Sequence, residues 1–322
     1  MKRKKYKIDA CEIAESGSNR YHLRYRSNDE AAPVLLFVHG GPGSCDRPLV
    51  IRHLSQLADD FTVVCWDQRG AGKGYDFKLS PKEKMTLDSC VEDAHAVVTF
   101  LKKRFSQDKV CIVGHSWGSL LGVLLTQRYP EDIETYVGIG QYICGAENER
   151  LSYEYTLEEA IKRQDKRAVK ALQRMGTPVG GNYAQDRDLI LQRNYLRKFG
   201  GAIYKAEESI AMYVLKVMLT TREYTPLDYV RYLKGNNYCR KLLYDEMIRV
   251  NFMESVKSLN VPVYITQGRH DYNTPSILAL RWFDALDAPI KEWFWFEESA
   301  HSPDFEEPEQ WVGTIRSLLL QQ

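Results

Sequence analysis

The chain has 322 residues, 44% of them hydrophobic and 27% charged, enough to bury a large core in one α/β domain with an insertion or in two medium domains. Lys and Arg number 44 against 43 for Asp and Glu, and five of the positive charges fall at Lys2, Arg3, Lys4, Lys5 and Lys7. The remainder is mildly acidic, which argues against a nucleic-acid or anionic-membrane partner and leaves the basic start as a solvated tail.

Residues 8–13 and 21–25 read as two half-buried strands joined by a turn around Ser16-Gly17-Ser18. Asp9 and Glu12 interrupt any apolar stretch behind the basic start, so no secretory signal is expected. Nor does any apolar run reach the roughly 18 residues that would span a bilayer. Residues 33–38, 61–66 and 110–113 are more continuously apolar and rich in β-branched side chains, the pattern of central strands buried on both faces. Residues 87–105 and 116–129 carry helical spacing, and a further strand over 135–139 follows Pro130. From 144 to 250 only helix signals occur. Thr156-Leu157-Glu158-Glu159 reads as a capping box opening a helix. A helix over 165–175 stops at Gly176, another over 186–199 stops at Gly200-Gly201, and Thr225-Pro226 opens one more. Strands return at 261–266 and 291–296, each followed by a helical stretch.

Strands alternating with helices on both sides of a helical block predict an α/β fold. Its mostly parallel central sheet is flanked by helices, with residues 1–141 and 253–322 forming the core and 142–252 an inserted all-helical cap. The seven cysteines (11, 45, 65, 90, 111, 144 and 239) are odd in number and scattered, with no C-x-x-C pair. That pattern argues against a disulfide framework or a structural zinc site and points to a reducing, cytoplasmic setting. Gly70-Ala71-Gly72-Lys73-Gly74 has the look of a phosphate loop but lacks its spacing and the Ser or Thr after Lys. No metal and no cofactor is expected, and the partner is a small molecule or short peptide.

The chemistry concentrates in three places. Gly114-His115-Ser116-Trp117-Gly118 matches G-x-S-x-G between an apolar strand and a helix, a sharp turn that lifts the Ser116 hydroxyl into the open. A serine needs a base and an orienting acid to act as nucleophile near neutral pH. Asp271, after strand 261–266, and His301, after strand 291–296, supply them in the order this architecture demands. His270 is the rival base and Glu297 or Glu298 the rival acid, whereas His115, beside the serine on a tight turn, reads as structural. The third place is His39-Gly40-Gly41-Pro42-Gly43, after strand 33–38. An acyl-transfer oxyanion needs backbone N–H donors, and the amides of Gly41 and Trp117 are the candidates.

These segments, with Asp67-Gln68-Arg69-Gly70 after strand 61–66, resemble the prolyl aminopeptidase (proline iminopeptidase) branch of the α/β-hydrolases. The resemblance covers roughly residues 30–141 and 260–322. It implies that His39, Gly40, Pro42, Gly43, Asp67 and Arg69 shape the site; read structurally, Asp67 and Arg69 are expected to form an internal ion pair rather than touch substrate. The chain departs from the branch at His115, where a glycine is usual, and at Tyr272, where some members place a glutamate for the substrate amino group. The Trp-Glu pair common in the cap is missing. Glu147, Glu149, Glu154, Glu158, Glu159, Glu207 and Glu208 offer other cap carboxylates, none of them singled out by spacing. The expectation is a serine hydrolase working through an acyl-enzyme, an aminopeptidase-like peptidase on small peptides. The alternatives are a carboxylesterase, lactonase or other small-acyl hydrolase, and a non-catalytic ligand-binding protein on the same fold.

Overall fold

The computed structural model describes residues 5–320 except Ser18, 79–84 and 206–209, so Lys2, Arg3 and Lys4 of the basic start, and Glu207 and Glu208, lie outside the described residues. Strands β1 (Ile8–Ser16) and β2 (Asn19–Ser27) pair as an antiparallel hairpin, and the exposure of β1 alternates as its sequence does. Strands β3 (Val34–Val38), β4 (Thr62–Asp67), β5 (Val110–His115), β6 (Ile133–Ile139), β7 (Val263–Gly268) and β8 (Lys291–Phe296) follow. All eight form one sheet in the order β1-β2-β4-β3-β5-β6-β7-β8, parallel from β4 to β8. This is the α/β architecture with a mostly parallel sheet that the sequence predicts.

The helices are α1 (Arg47–His53), α2 (Leu87–Phe105), α3 (Trp117–Arg128), α4 (Gly145–Lys162), α5 (Lys166–Met175), α6 (Asp186–Lys198), α7 (Ile210–Thr221), α8 (Pro226–Arg249), α9 (Phe252–Ser255), α10 (Ser276–Ala285), α11 (Pro303–Glu306) and α12 (Pro308–Leu320). Successive residues of a strand face opposite sides, so β3 feeds two cores at once. Val34, Leu36 and Val38 join the core that α2 and α3 cover, whereas Leu35 and Phe37 join the core that α1 and α12 cover. Complete burial of both faces explains why β3, β4 and β5 read as unbroken apolar runs. Among the described residues no helix is long and apolar enough to cross a membrane.

Helices α4 to α9 lie between β6 and β7 in the chain. Their first helix corrects one expectation. Thr156 does not open a helix but sits inside α4, which starts eleven residues earlier at Gly145. Asn148, Ser152 and Thr156 form a polar stripe at helical spacing, and that stripe is buried. The Thr156 hydroxyl donates to the Ser152 carbonyl, and Gln192 of α6 donates to both Ser152 and Thr156. A helix face buried through polar contacts has no apolar period, so the sequence pattern hid its first half.

The stretch between α7 and α8 is tied to the sheet by charge. Glu223 pairs with Arg24 and Arg26 of β2, and the Tyr224 hydroxyl donates to Asp67 at the end of β4. Lys73 pairs with Asp228, 2.7 Å apart, so the lysine of the glycine-rich 70–74 turn serves the fold. Asp228 also completes the Thr225 capping box that starts α8. Burial works against its ionisation, but the bonds from Lys73, Thr225 and Arg231 outweigh it and hold the carboxyl well below the usual range. A carboxyl whose pKa is depressed on folding stabilises above its unfolded pKa and loses that contribution as pH falls through its folded one. Asp228→Ala is therefore expected to cost about 2–3 kcal/mol of unfolding free energy at neutral pH. The gap from wild type should narrow as denaturant titrations are repeated below about pH 4, near the unfolded carboxyl pKa. A gap that stays constant with pH would contradict this account.

Candidate active site

Between β5 and α3 the chain reverses at a single residue, Ser116, whose φ of 55° and ψ of −117° are strained for a side chain with a Cβ. Packing holds it there. A Cβ on Gly118 would stand 1.8 Å from the Val38 carbonyl oxygen, and one on Gly114 would stand 2.5 Å from the Gly118 oxygen. Helix α3 can thus start directly against β3 only with glycine at both positions. The Ser116 N–H donates to the Ile139 carbonyl at 2.9 Å, and its side chain is left partly exposed at the positive end of α3.

The 39–43 loop leaves β3 beside this turn. His39 is fully buried, which pushes its imidazole pKa down; its Nδ1–H donates to the Gly40 carbonyl and its Nε2 accepts the Gln68 N–H. Gly41 has φ 130°, and a Cβ there would meet the Gly43 nitrogen at 2.2 Å. Gly43 packs against α8 at Asn236, and Asn236 donates to the Ser44 hydroxyl at 2.6 Å. Trp117 is the first residue of α3, so helix geometry leaves its backbone N–H without an intrahelical acceptor. Gly41, Pro42, Ser116 and Trp117 line one cavity of about 350 Å³, whose opposite wall comes from α4, α6 and α8.

Asp271 follows β7 and is 1% exposed. One carboxylate oxygen accepts the N–H groups of Asn273 and Thr274; the other accepts Gln267 Nε2–H, the Thr274 hydroxyl and His301 Nδ1–H at 3.0 Å. So many donors lock the carboxylate in place and fix the His301 tautomer with Nε2 free of the proton. His301 lies close to the Ser116 turn. Its ring centroid is 4.9 Å from that of His115, and a Cβ on Gly140, the residue after Ile139, would stand 2.8 Å from its Nδ1.

The rival groups are elsewhere. His270 stacks on Tyr204 at 3.6 Å, and Glu297 and Glu298 pair on the surface with Arg269 and Lys205. His115 Nε2–H donates to the His301 carbonyl at 3.1 Å, and burial together with the neighbouring imidazole pushes its pKa down to about 3. Tyr272 stacks on Tyr155. Asp67 and Arg69 do form internal ion pairs, but not with each other. Asp67 turns into the core, where Arg47 lies 3.7 Å away, whereas Arg69 turns outward to Asp93 at 2.6 Å. They lie on either side of Gln68 where the chain leaves β4, and their side chains diverge.

Three residues escaped sequence reasoning. Gln68 ties the two glycine turns together, donating to the His39 carbonyl and accepting Trp117 Nε1–H at 3.0 Å. Its signal was present in the Asp-Gln-Arg-Gly turn, between the two charges that drew attention. Thr274 braces Asp271 and lies 3.1 Å from His301 Nδ1, with nothing but its nearness in sequence to mark it. Glu149, one of seven cap acids, lines the cavity while 1% exposed. One of its oxygens binds Arg193, and the other, Oε2, is buried without a hydrogen-bond partner among the described residues.

A family model described as alpha/beta hydrolase fold matches residues 33–308. The chain belongs to the α/β-hydrolase family. A probable aminopeptidase of Bacillus subtilis, YbaC, is 33% identical over 300 residues, spanning 93% of this chain and 92% of its own. A proline iminopeptidase of Heyndrickxia coagulans is 24% identical over 315 residues, with 95% and 97% covered. Among solved structures, the proline iminopeptidase of Mycobacterium smegmatis superposes with a TM-score of 0.66 at 18% identity, covering 97% of this chain and 98% of its own. This α/β-hydrolase is a hydrolytic enzyme, and its strained turn and glycine loop line one cavity together with Asn273 and Thr274 of the loop that carries Asp271. Gly140→Ala, which adds a methyl group against the His301 ring at a position with φ 52°, is expected to cut turnover of a nitrophenyl ester roughly 10²-fold while the protein stays folded. Wild-type turnover in the folded variant would mean that His301 does not set the rate.

Proposed function

We propose that this α/β-hydrolase is an aminopeptidase-like serine hydrolase of short peptides. Ser116 Oγ attacks the scissile carbonyl as His301 Nε2 takes its proton, and Asp271 stabilises the imidazolium that results. The carbonyl electron pair moves onto oxygen, where the Gly41 and Trp117 N–H groups receive it. Collapse breaks the C–N bond and His301 returns its proton to the departing amine. Water then attacks the acyl-enzyme with His301 again as base, releasing the acid and restoring the Ser116 hydroxyl. On this reading residues 142–252 are a cap that roofs Ser116 and selects substrates. Seven free thiols support a reducing, cytoplasmic setting.

The observation that carries the peptidase reading is the unpartnered Glu149 Oε2. A buried carboxylate oxygen without a donor is costly, and a substrate ammonium that met it through a turn of the Glu149 side chain toward the cavity it lines would satisfy it. The relatives named aminopeptidase and proline iminopeptidase support the same reading.

Two measurements test the proposal. Ser116→Ala should abolish labelling by a fluorophosphonate and lower turnover by about 10³-fold or more; wild-type labelling would exclude Ser116 as nucleophile. In matched free and N-acetylated prolyl amides, acetylation should cost on the order of 10²-fold in kcat/KM, and Glu149→Gln should shrink that ratio. Equal rates on both amides in the wild type would remove the aminopeptidase reading in favour of an esterase.

A further inference from the structure

The charges lining the cavity do not balance. Glu149 is the sole acid among the lining residues, against Arg193, Arg197 and Arg240. Arg193 is committed to Glu149. Arg240, on α8, is only 22% exposed at its side chain, and its nearest carboxylate, Asp186, lies 3.7 Å away and is 81% exposed. An ion pair that long, with one partner in solvent, contributes little, and the other bond, to Asn237 Oδ1 at 3.2 Å, is exposed and neutral, so the charge of the guanidinium is left largely unmatched. Arg197 lies at the exposed end of the wall, bonded to Asn194 Oδ1 at 3.3 Å, with no acidic partner among the described residues. Positive charge facing a concave, partly dry site concentrates anions there.

Glu149 and Arg240 are anchored to different loops. Glu149 is next in sequence to Asn148, which donates to the Asn273 carbonyl in the Asp271 loop. Arg240 stands one helical turn beyond Asn236, which holds Ser44 in the glycine loop. The cavity thus carries Glu149 on the helix tied to the acid loop and Arg240 on the helix tied to the glycine loop, both in the wall opposite Ser116.

We infer that the cavity takes substrates bearing a free carboxylate as well as an amine, with Arg240 binding the carboxylate and Arg197 adding to the field at the mouth. The substrate class is the free short peptide, held at its amino terminus by Glu149 and at its own carboxyl terminus by the arginines. Two or three extended residues span roughly 7–10 Å, in keeping with a small cavity closed by helices. A longer peptide would carry its carboxylate beyond the arginines and lose the contact. Guanidinium suits the task because its fork can grip both carboxylate oxygens.

This inference rests on the aminopeptidase reading, and the experiment separates the two. Prolyl-alanine is compared with prolyl-alanine amide, and 3-carboxyphenyl butyrate, whose carboxylate sits on the leaving group as a peptide's does, with phenyl butyrate. The wild type should favour the free acid over the amide by about 10-fold or more in kcat/KM, carried mainly by KM. That ratio should collapse toward one in Arg240→Gln, shrink in Arg197→Gln and partly return in Arg240→Lys. A merely structural role for Arg240 would lower both members of a pair together and leave the ratio unchanged, which overturns the inference; so does a wild-type ratio of one. If neither peptide is cleaved, the aminopeptidase reading fails and the ester pair decides alone. A preference for the anionic ester that Arg240→Gln abolishes keeps the carboxylate site, and no preference removes it.

Discussion

Everything at the site depends on how closely helix α3 can approach strand β3. With the Gly118 Cα where a Cβ would lie 1.8 Å from the Val38 oxygen, the helix starts almost in contact with the sheet. That contact forces the chain to reverse at Ser116 in one residue and accept a left-handed φ. The strain is local and the packing that imposes it is spread over the sheet, so Ser116 holds its place without needing its own side-chain bonds. The same approach brings Trp117, at the start of α3, against the glycine loop leaving β3. Gln68 then bridges the two through His39 and Trp117.

A second constraint acts from the far side of the cavity. Helices α4, α6 and α8 supply most of the polar groups facing Ser116, yet they are not part of the sheet. Their placement comes from charged and polar contacts that cross to the core: Glu223 with Arg24 and Arg26, Tyr224 with Asp67, Lys73 with Asp228, Asn148 with Asn273 and Asn236 with Ser44. Contacts of this kind are directional, so they fix the orientation of a wall as well as its attachment. An apolar seam alone would tolerate sliding that the chemistry could not. The buried polar stripe of α4 against Gln192 has the same character, and it sets α6, with Arg193 and Arg197, relative to Glu149.

Together these features divide the labour. The sheet and the loops that leave its strands carry Ser116, the bonded Asp271–His301 pair and the glycine loop, the groups to which the proposed mechanism assigns acyl transfer. The helical wall adds one partly satisfied carboxylate and an excess of guanidinium, to which the proposal assigns selectivity. On that proposal the chemistry and the selection come from different parts of the chain and meet across the cavity.

The sequence by itself determined the parts whose signals are local. Alternating polarity set β1, continuous β-branched runs set β3 to β5, and glycines at strand-to-helix turns marked positions 40–43 and 114–118. Ser116, Asp271 and His301 could be named because each follows a strand with a short, distinctive turn. Only the tertiary structure decided what depends on partners distant in the chain. The start of α4 was invisible because its buried face is polar and is satisfied by Gln192, forty residues from Ser152. Asp67 and Arg69 looked like a pair by proximity, but their side chains diverge to Arg47 and Asp93. Glu149 could not be told from six other cap acids, since what distinguishes it is an oxygen left without a donor in a cavity built by three separated helices. A pattern along the chain records which face a residue presents, whereas the partner waiting at that face is a property of the folded whole.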